Sequence, residues 1–133
     1  MRRVIWSVVL LSGCVSNGPH PLRPLEIPTA PYSGVASSRL TGTLTYDAGC
    51  LLFRGDSKRV QLVPVWPDGS RFNGTSIAFH QPGRMDQTIV MNEEFLMSGQ
   101  PLQWSGLAGP RISLHQHLCG GTPFAVASVR PAN

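Results

Sequence analysis

The residues with the clearest capacity for chemistry are His115, His117 and Cys119, which alternate along one short segment. On a β-strand, residues two apart share a face, so two imidazoles and a thiolate would converge, and these ligands suit zinc or copper. On a helix only His115 and Cys119 would be aligned, and a disulfide-bonded Cys119 could not be a ligand. His80 is isolated, and no second ligand cluster has regular spacing. We therefore expect no metal or other cofactor, and His115 and His117 remain only weak metal candidates.

Acidic and hydroxyl side chains form no recognisable catalytic pattern. Glu93 and Glu94 are adjacent, so on a strand they would point to opposite sides. No Gly-x-Ser-x-Gly elbow occurs. Every aspartate lies in a predicted turn, where this residue usually bonds its own backbone: Asp47, Asp56, Asp68 and Asp86. We therefore do not expect an enzyme.

The first fourteen residues have the features of an export signal. Met1-Arg2-Arg3 is a short positive region, and residues 4–11 form an apolar run. That run is shorter than the roughly 20 residues needed to span a bilayer, and it fits a secretory signal peptide. The next residues, Leu11-Ser12-Gly13-Cys14, resemble the lipobox of bacterial lipoproteins. The resemblance covers residues 1–14 only.

That resemblance implies a membrane anchor. In bacterial lipoproteins the peptide before the cysteine, here residues 1–13, is removed, and the cysteine, here Cys14, is acylated. Two or three acyl chains hold a protein stably on a membrane, so membrane lipid is the first expected partner. Val15 stands where an aspartate resembles the inner-membrane retention signal of enteric bacteria. We therefore expect a protein of the bacterial envelope, at the outer membrane and facing the periplasm.

Residues 14–38 are predicted to be a tether between the lipid and a folded domain. The segment has no apolar periodicity, and glycine, serine and asparagine separate its prolines. Such a composition favours a semi-extended chain. Its five prolines are Pro19, Pro21, Pro24, Pro28 and Pro31.

Two cysteines remain once Cys14 is assigned to the anchor, namely Cys50 and Cys119. An exported domain enters an oxidising compartment, where an even pair most simply forms a disulfide. Two separate buried thiols, or thiols used in chemistry, are the alternatives. The disulfide is the preferred prediction.

Residues 39–133 are predicted to form one small all-β domain organised around residues 41–70. Side chains of residues 39–46 alternate between apolar and polar, as in a half-buried strand. A three-residue connection, Asp47-Ala48-Gly49, then leads to a return strand at residues 50–54. The next strand, residues 60–66, contains Pro64, so we expect it to be bulged or at a sheet edge there.

Turn signals recur about every ten residues after Ser70. Seven or eight short strands would form a closed or partly open antiparallel barrel, OB-like, or else a sandwich. Residues 111–118 are predicted either as one short helix or as an irregular loop. No dinucleotide-binding glycine motif or internal repeat is present.

Charge and aromatic content limit the kinds of partner that the domain could bind. The formal net charge is +4, but Arg2 and Arg3 belong to the signal peptide and the other cations are mostly scattered. We therefore expect no nucleic-acid partner. Trp66 and Trp104 could stack on a ligand, although most aromatic residues of so small a domain are needed in its core. Trp66 adjoins a turn, so we expect it to be the more exposed of the two.

These observations favour a non-catalytic envelope lipoprotein that acts by binding. The preferred partner is an envelope protein, which the domain would serve as an accessory or block as an inhibitor. A carbohydrate or peptidoglycan binder, with cell-wall glycan held by Trp66 and Trp104, is the alternative. A metal-binding lipoprotein is the third hypothesis.

Overall fold

The computed structural model describes residues 25–57 and 59–132. Within them, nine strands and one α-helix confirm the all-β prediction, and the predicted helix at residues 111–118 is present as α1. The elements are β1 Thr29–Ala30, β2 Ser38–Asp47, β3 Cys50–Gly55, β4 Gln61–Pro67, β5 Arg71–Phe72, β6 Ser76–Phe79, β7 Gln87–Val90, β8 Phe95–Pro101, a 3₁₀ helix Trp104–Gly106, α1 Pro110–Cys119 and β9 Thr122–Pro131.

Five strands form a ring that closes the barrel. Their order is β4-β3-β2-β8-β9, and β9 returns to pair with β4. Every pairing inside the ring is antiparallel except that of β4 with β9, which is parallel. β3 and β4 pair through only two residues each, so the ring is partly open there. This arrangement confirms the predicted small β-barrel in its partly open form, and the parallel pairing of β4 with β9 departs from the predicted antiparallel pattern.

A second sheet packs its apolar side chains into the same core. It has the order β5-β6-β7 and lies in sequence between β4 and β8. Ile77 and Phe79 of β6 are fully buried and belong to the cluster that contains Phe53 and Trp66. Phe79 contacts Trp66 edge to face, with ring centroids 6.3 Å apart. The two sheets therefore share one hydrophobic core.

The turn between β2 and β3 differs from its prediction. Asp47 pairs directly with Cys50, which leaves a two-residue turn instead of a three-residue connection. Ala48 and Gly49 both have positive φ, 52° and 87°. A type I′ hairpin requires positive φ at both central residues, and its twist matches that of the flanking strands.

The prediction that Pro64 lies at an edge holds for one side of β4. β3 pairs with β4 only as far as Leu62, so no residue of β3 faces Pro64. On its other side Pro64 pairs with Phe124 of β9. A proline is tolerated where one neighbour is missing, because it has no N–H to donate.

The predicted tether extends too far along the chain. Residues 26–30 pack against the domain: Pro28 and Ala30 accept hydrogen bonds from the N–H groups of Trp66 and Asp68 at 3.0 and 2.8 Å. β1 pairs in parallel with β4, and Ile27 packs against the core. The domain therefore begins well before residue 39. A proline-rich sequence still offers carbonyl acceptors, so a lack of apolar periodicity does not prevent it from completing a sheet.

Candidate functional site: the groove between two strand edges

β7 presents an edge that no described strand covers. The N–H of Met91, just beyond β7, donates to the carbonyl of Thr75 at 2.9 Å. Hydrogen-bonded and non-hydrogen-bonded pairs alternate in an antiparallel ladder, so Ile89 is bonded to β6 while the backbone groups of Thr88 and Val90 point away from it. The carbonyl of Val90 accepts a turn hydrogen bond from Glu93 at 3.3 Å. Thr88 therefore presents both an N–H and a carbonyl at this edge.

β9 also becomes an edge strand after it separates from β4 at Ala125. Side chains cover that edge. The amide of Gln81 donates to the carbonyl of Ala127 at 3.2 Å, as does the Tyr32 hydroxyl, also at 3.2 Å. The amide of Gln87 donates to the carbonyl of Val129 at 3.2 Å. These two carbonyls belong to residues two apart, which face the same edge of a strand.

A groove of about 130 Å³ lies between the two edges. β7 forms one wall, and the end of β9 forms the other, with Phe95 between them. Backbone groups of two strand edges can hydrogen-bond an extended peptide, and alternate side chains of that peptide can enter pockets. The groove therefore has the features of a site for strand addition.

The groove carries an excess of negative charge. Glu93 and Glu94 line it, and Arg130 is the only cation among those lining residues that the structure describes. A hydrogen bond with the side chain of Asp56 raises the pKa of Glu94, and Coulomb repulsion between the two carboxylates acts in the same direction. Within residues 25–57 and 59–132, neither Glu93 nor Glu94 has a cationic group at ion-pair distance. A cation that neutralised this group would be bound favourably.

His80 and Asp86 form a hydrogen-bonded pair at the loop that connects β6 to β7. Nδ1–H of His80 donates to the Asp86 carboxylate at 2.9 Å, and the His80 backbone N–H donates to the Ser70 hydroxyl oxygen at 3.0 Å. Both side chains of the pair are more than a third exposed. The pair braces the loop that carries Gln81, one of the side chains that cover the β9 edge.

The histidines of the predicted metal site do not come together. They lie on α1, not on a strand, and His115 is buried while His117 is exposed. Cys119 is bonded to Cys50 and cannot be a ligand. In the part of the chain that the structure describes, no three His, Cys, Asp or Glu side chains form a group that could hold a metal ion. The convergence that a strand would have given His115, His117 and Cys119 is therefore absent, because a helical period places residues i and i+2 on different faces.

The predicted disulfide between Cys50 and Cys119 is present and joins β3 to the end of α1. Cys14, the predicted lipidation site, lies outside the described residues. Among the described residues no helix has the length and apolar character to cross a bilayer.

The two tryptophans are placed differently from their prediction. Trp66 is 0 % exposed and belongs to the core, so the expectation of an exposed stacking surface is wrong. β1 covers the adjacent backbone, which a turn signal in the local sequence does not reveal. Trp104 is partly buried beside Cys119, and its indole N–H donates to the carbonyl of Gly121 at 3.0 Å. Trp104 therefore supports the connection between α1 and β9.

The groove could not be predicted from the sequence, because its lining residues come from segments that are far apart in the chain. Gln87 and Val129 are 42 residues apart in sequence. Only the His80–Asp86 pair has a local signal: the turn Gln81-Pro82-Gly83 places its flanking residues across a hairpin. Comparison of the chain with protein-family models, curated proteins and solved structures gave no match.

Proposed function

We propose that this protein is a lipid-anchored component of the bacterial envelope whose β domain binds an extended, basic segment of a partner protein. The partner segment adds a strand in the groove between β7 and β9. By this binding the protein acts as an accessory or an inhibitor of an envelope complex, without catalysis. Exposure of the Thr88 backbone at the uncovered edge of β7 is the observation that carries the proposal.

Two features of the groove select the occupant. The open backbone groups at the β7 edge suit an extended peptide, because main-chain hydrogen bonds supply affinity in strand addition. The carboxylates of Glu93 and Glu94 suit lysine or arginine side chains on that peptide. Trp66, one of the two side chains on which the glycan alternative depends, is fully buried and offers no surface to a sugar, so a protein partner is favoured over cell-wall glycan.

The anchor rests on the resemblance of residues 11–14 to a lipobox. Cys14→Ser should move the protein from the membrane fraction to the soluble periplasmic fraction, whereas Cys50→Ser should leave the mature protein in the membrane fraction. If Cys14→Ser protein still partitions with lipid, this lipoprotein assignment is wrong.

Photocrosslinking in cells tests the groove. A photoreactive amino acid at Thr88 should capture one dominant envelope protein, whereas the same amino acid at Ser113, an exposed position of α1, should not. Thr88→Pro, combined with a crosslinker at Val90, should abolish the capture, because proline removes an edge N–H without removing a bond to β6. Thr88→Ala should retain it. Equal capture from Thr88 and Ser113, or none from Thr88, would contradict strand addition at this edge.

A further inference from the structure

The first described residue of the chain, Leu25, lies close to one end of the β7 edge. Its Cδ2 atom is 3.5 Å from the place where a Cβ of Gly74 would stand. The residue after Gly74, Thr75, accepts the hydrogen bond of the Met91 N–H, directly beyond the last pair of the β6–β7 ladder, which includes Val90. The chain before Leu25 therefore joins the domain at the Val90 end of this edge.

The connecting segment, residues 15–24, is what remains of the predicted tether, and it is long enough to cover the β7 edge. Ten extended residues reach at most roughly 33 Å. β7 has four residues and is about 13 Å long. Gly74 lies in the turn between β5 and β6, so a strand added to β7 would be at most three strand spacings away, about 14 Å. Since the segment meets the domain at the Val90 end, it would run parallel to β7.

The prolines of the connecting segment are spaced as a one-sided strand requires. Backbone N–H groups of successive strand residues point to opposite edges, so residues two apart share an edge. Pro19 and Pro21 fall on one edge, which therefore lacks these two donors. Gly18, His20 and Leu22 keep their N–H groups on the other edge. Such a strand can pair with β7 on one side, while its prolines discourage a further strand on the other side.

The charge of the connecting segment complements that of the groove. Residues 15–24 contain one cation, Arg23, and no aspartate or glutamate, so the formal net charge is +1 with neutral histidine. The groove is lined by Glu93 and Glu94. Arg23 belongs to the part of the segment nearest the domain, and the turn that carries Glu93 follows directly from Val90 at that end. Opposite charges placed in this way favour one register and direction of binding.

We infer that residues 16–22 of this chain occupy the β7 edge as a parallel strand when no partner is bound. The inference rests on the proposed function, because the partner segment binds the same edge. A segment of the same chain is present at an effective concentration of roughly millimolar, so a partner has to compete with it. Displacement by the partner frees the whole connecting segment and lets the domain reach further from its anchor.

Photocrosslinking of the purified protein in detergent micelles, with its connecting segment intact, tests the inference. A photoreactive amino acid at Thr88 should crosslink to residues 16–22, as identified by mass spectrometry, whereas the same amino acid at exposed Ser113 should not. An equimolar mixture of isotope-labelled and unlabelled protein shows whether both halves of a crosslink come from one chain. Crosslinks within the segment's own chain are expected.

Two proline variants separate strand pairing from chance contact. His20→Pro removes an N–H from the edge that faces β7, so it should abolish the crosslink from Thr88. Asn17→Pro adds a proline on the opposite edge, in phase with Pro19, and should leave the crosslink unchanged. Both changes lie outside the described β domain. In cells, His20→Pro should increase capture of the partner at Thr88 several-fold, because the competing segment is lost.

Three results would overturn the inference: equal effects of the two proline variants, crosslinks that join two chains, and no crosslink to the connecting segment. The second result would assign the edge to another copy of the protein. If the third is found while Thr88 still captures an envelope protein in cells, strand addition by a partner stands and only this inference fails. A crosslink within one chain without any captured protein would support this inference and contradict the proposed function.

Discussion

The side-chain amide of Gln87 donates to the backbone carbonyl of Val129 at 3.2 Å, in the direction where a neighbouring strand would pair. Gln81 does the same at Ala127, two residues earlier on β9. An uncovered strand edge is a template for unwanted pairing, and natural proteins protect it with side chains or loops. The two glutamines protect β9 in this way, while the facing edge of β7 stays open to a partner.

Removal of these amides should expose the β9 edge. Gln87→Ala should reduce the free energy of unfolding by about 1 kcal/mol, because the part-buried carbonyl of Val129 loses its donor. Gln81→Ala should reduce it by less, because the carbonyl of Ala127 keeps the hydrogen bond from the Tyr32 hydroxyl. The double variant should also self-associate through the edge. Urea unfolding and sedimentation velocity measure the two effects. Gln116→Ala, at an exposed position of α1, serves as the control; a similar loss there would contradict the role of the edge amides.

Gly99 of β8 leaves no room for a side chain against β9. A Cβ at this position would overlap the backbone carbonyl of Ala125, beside the irregular register at Ser98 and Gly99. Gly99→Ala should therefore lower the free energy of unfolding by about 3 kcal/mol, as overpacking does elsewhere. Gly106→Ala should cost far less, because no atom lies within 4 Å of its added Cβ. Equal losses in chemical denaturation would show that the contact with Ala125 relaxes freely.

The disulfide closes a loop with a sequence separation of 69 residues. By the chain-entropy model, its loss should cost about 4 kcal/mol, less any strain. Cys50→Ala, Cys119→Ala and the double variant should therefore have nearly the same unfolding free energy. Denaturation with and without reductant provides the check, since reduction should change the wild type and leave the variants unaffected. If the unfolding free energies of the two single variants differ clearly, one of the two cysteines has a second role.

The carboxylate pair of Glu94 and Asp56 predicts a pH-dependent stability. The pKa of Glu94 is raised in the folded state, so its ionised form is disfavoured there and stability falls as pH rises through that pKa. Glu94→Gln should therefore raise the melting temperature near pH 7. At a pH of about 3, below the pKa of Glu94 in both the folded and the unfolded state, the difference in melting temperature between Glu94→Gln and the wild type should vanish. Asp56→Asn should stabilise the protein in the same way at neutral pH. A Glu94→Gln variant that melts lower than the wild type at neutral pH would contradict the prediction.

Strand identity was predictable from local pattern, and strand partners were not. The alternation in residues 39–46 predicts β2, and the turn signals around residue 47 and residue 55 predict the meander of β2, β3 and β4. The parallel pairing of β9 with β4, in contrast, depends on contacts far apart in sequence. Local periodicity contains no information about which edge a later strand meets.

The exposure of single residues was harder to predict. Trp66 adjoins a turn, but β1 pairs with Trp66 itself and the indole packs against Phe79. The segment that contributes β1 has the proline content of a linker, so its packing was not foreseen. His115 and His117 were only weak metal candidates, and the sequence did not show which of them is accessible; α1 buries the ring of His115 and exposes that of His117.

The parallel pairing of β1 with β4 has a mechanical consequence. Tension applied along β1 from the N-terminal side would load the hydrogen bonds at Trp66 and Asp68 together, in shear, whereas an antiparallel hairpin pulled apart from its ends is unzipped one bond at a time. The bidentate contact between Arg111 and Glu26 precedes these bonds along the chain and would bear the force first. If the domain is anchored on its N-terminal side and a bound partner is pulled away, the β1–β4 pairing would resist unfolding of the domain.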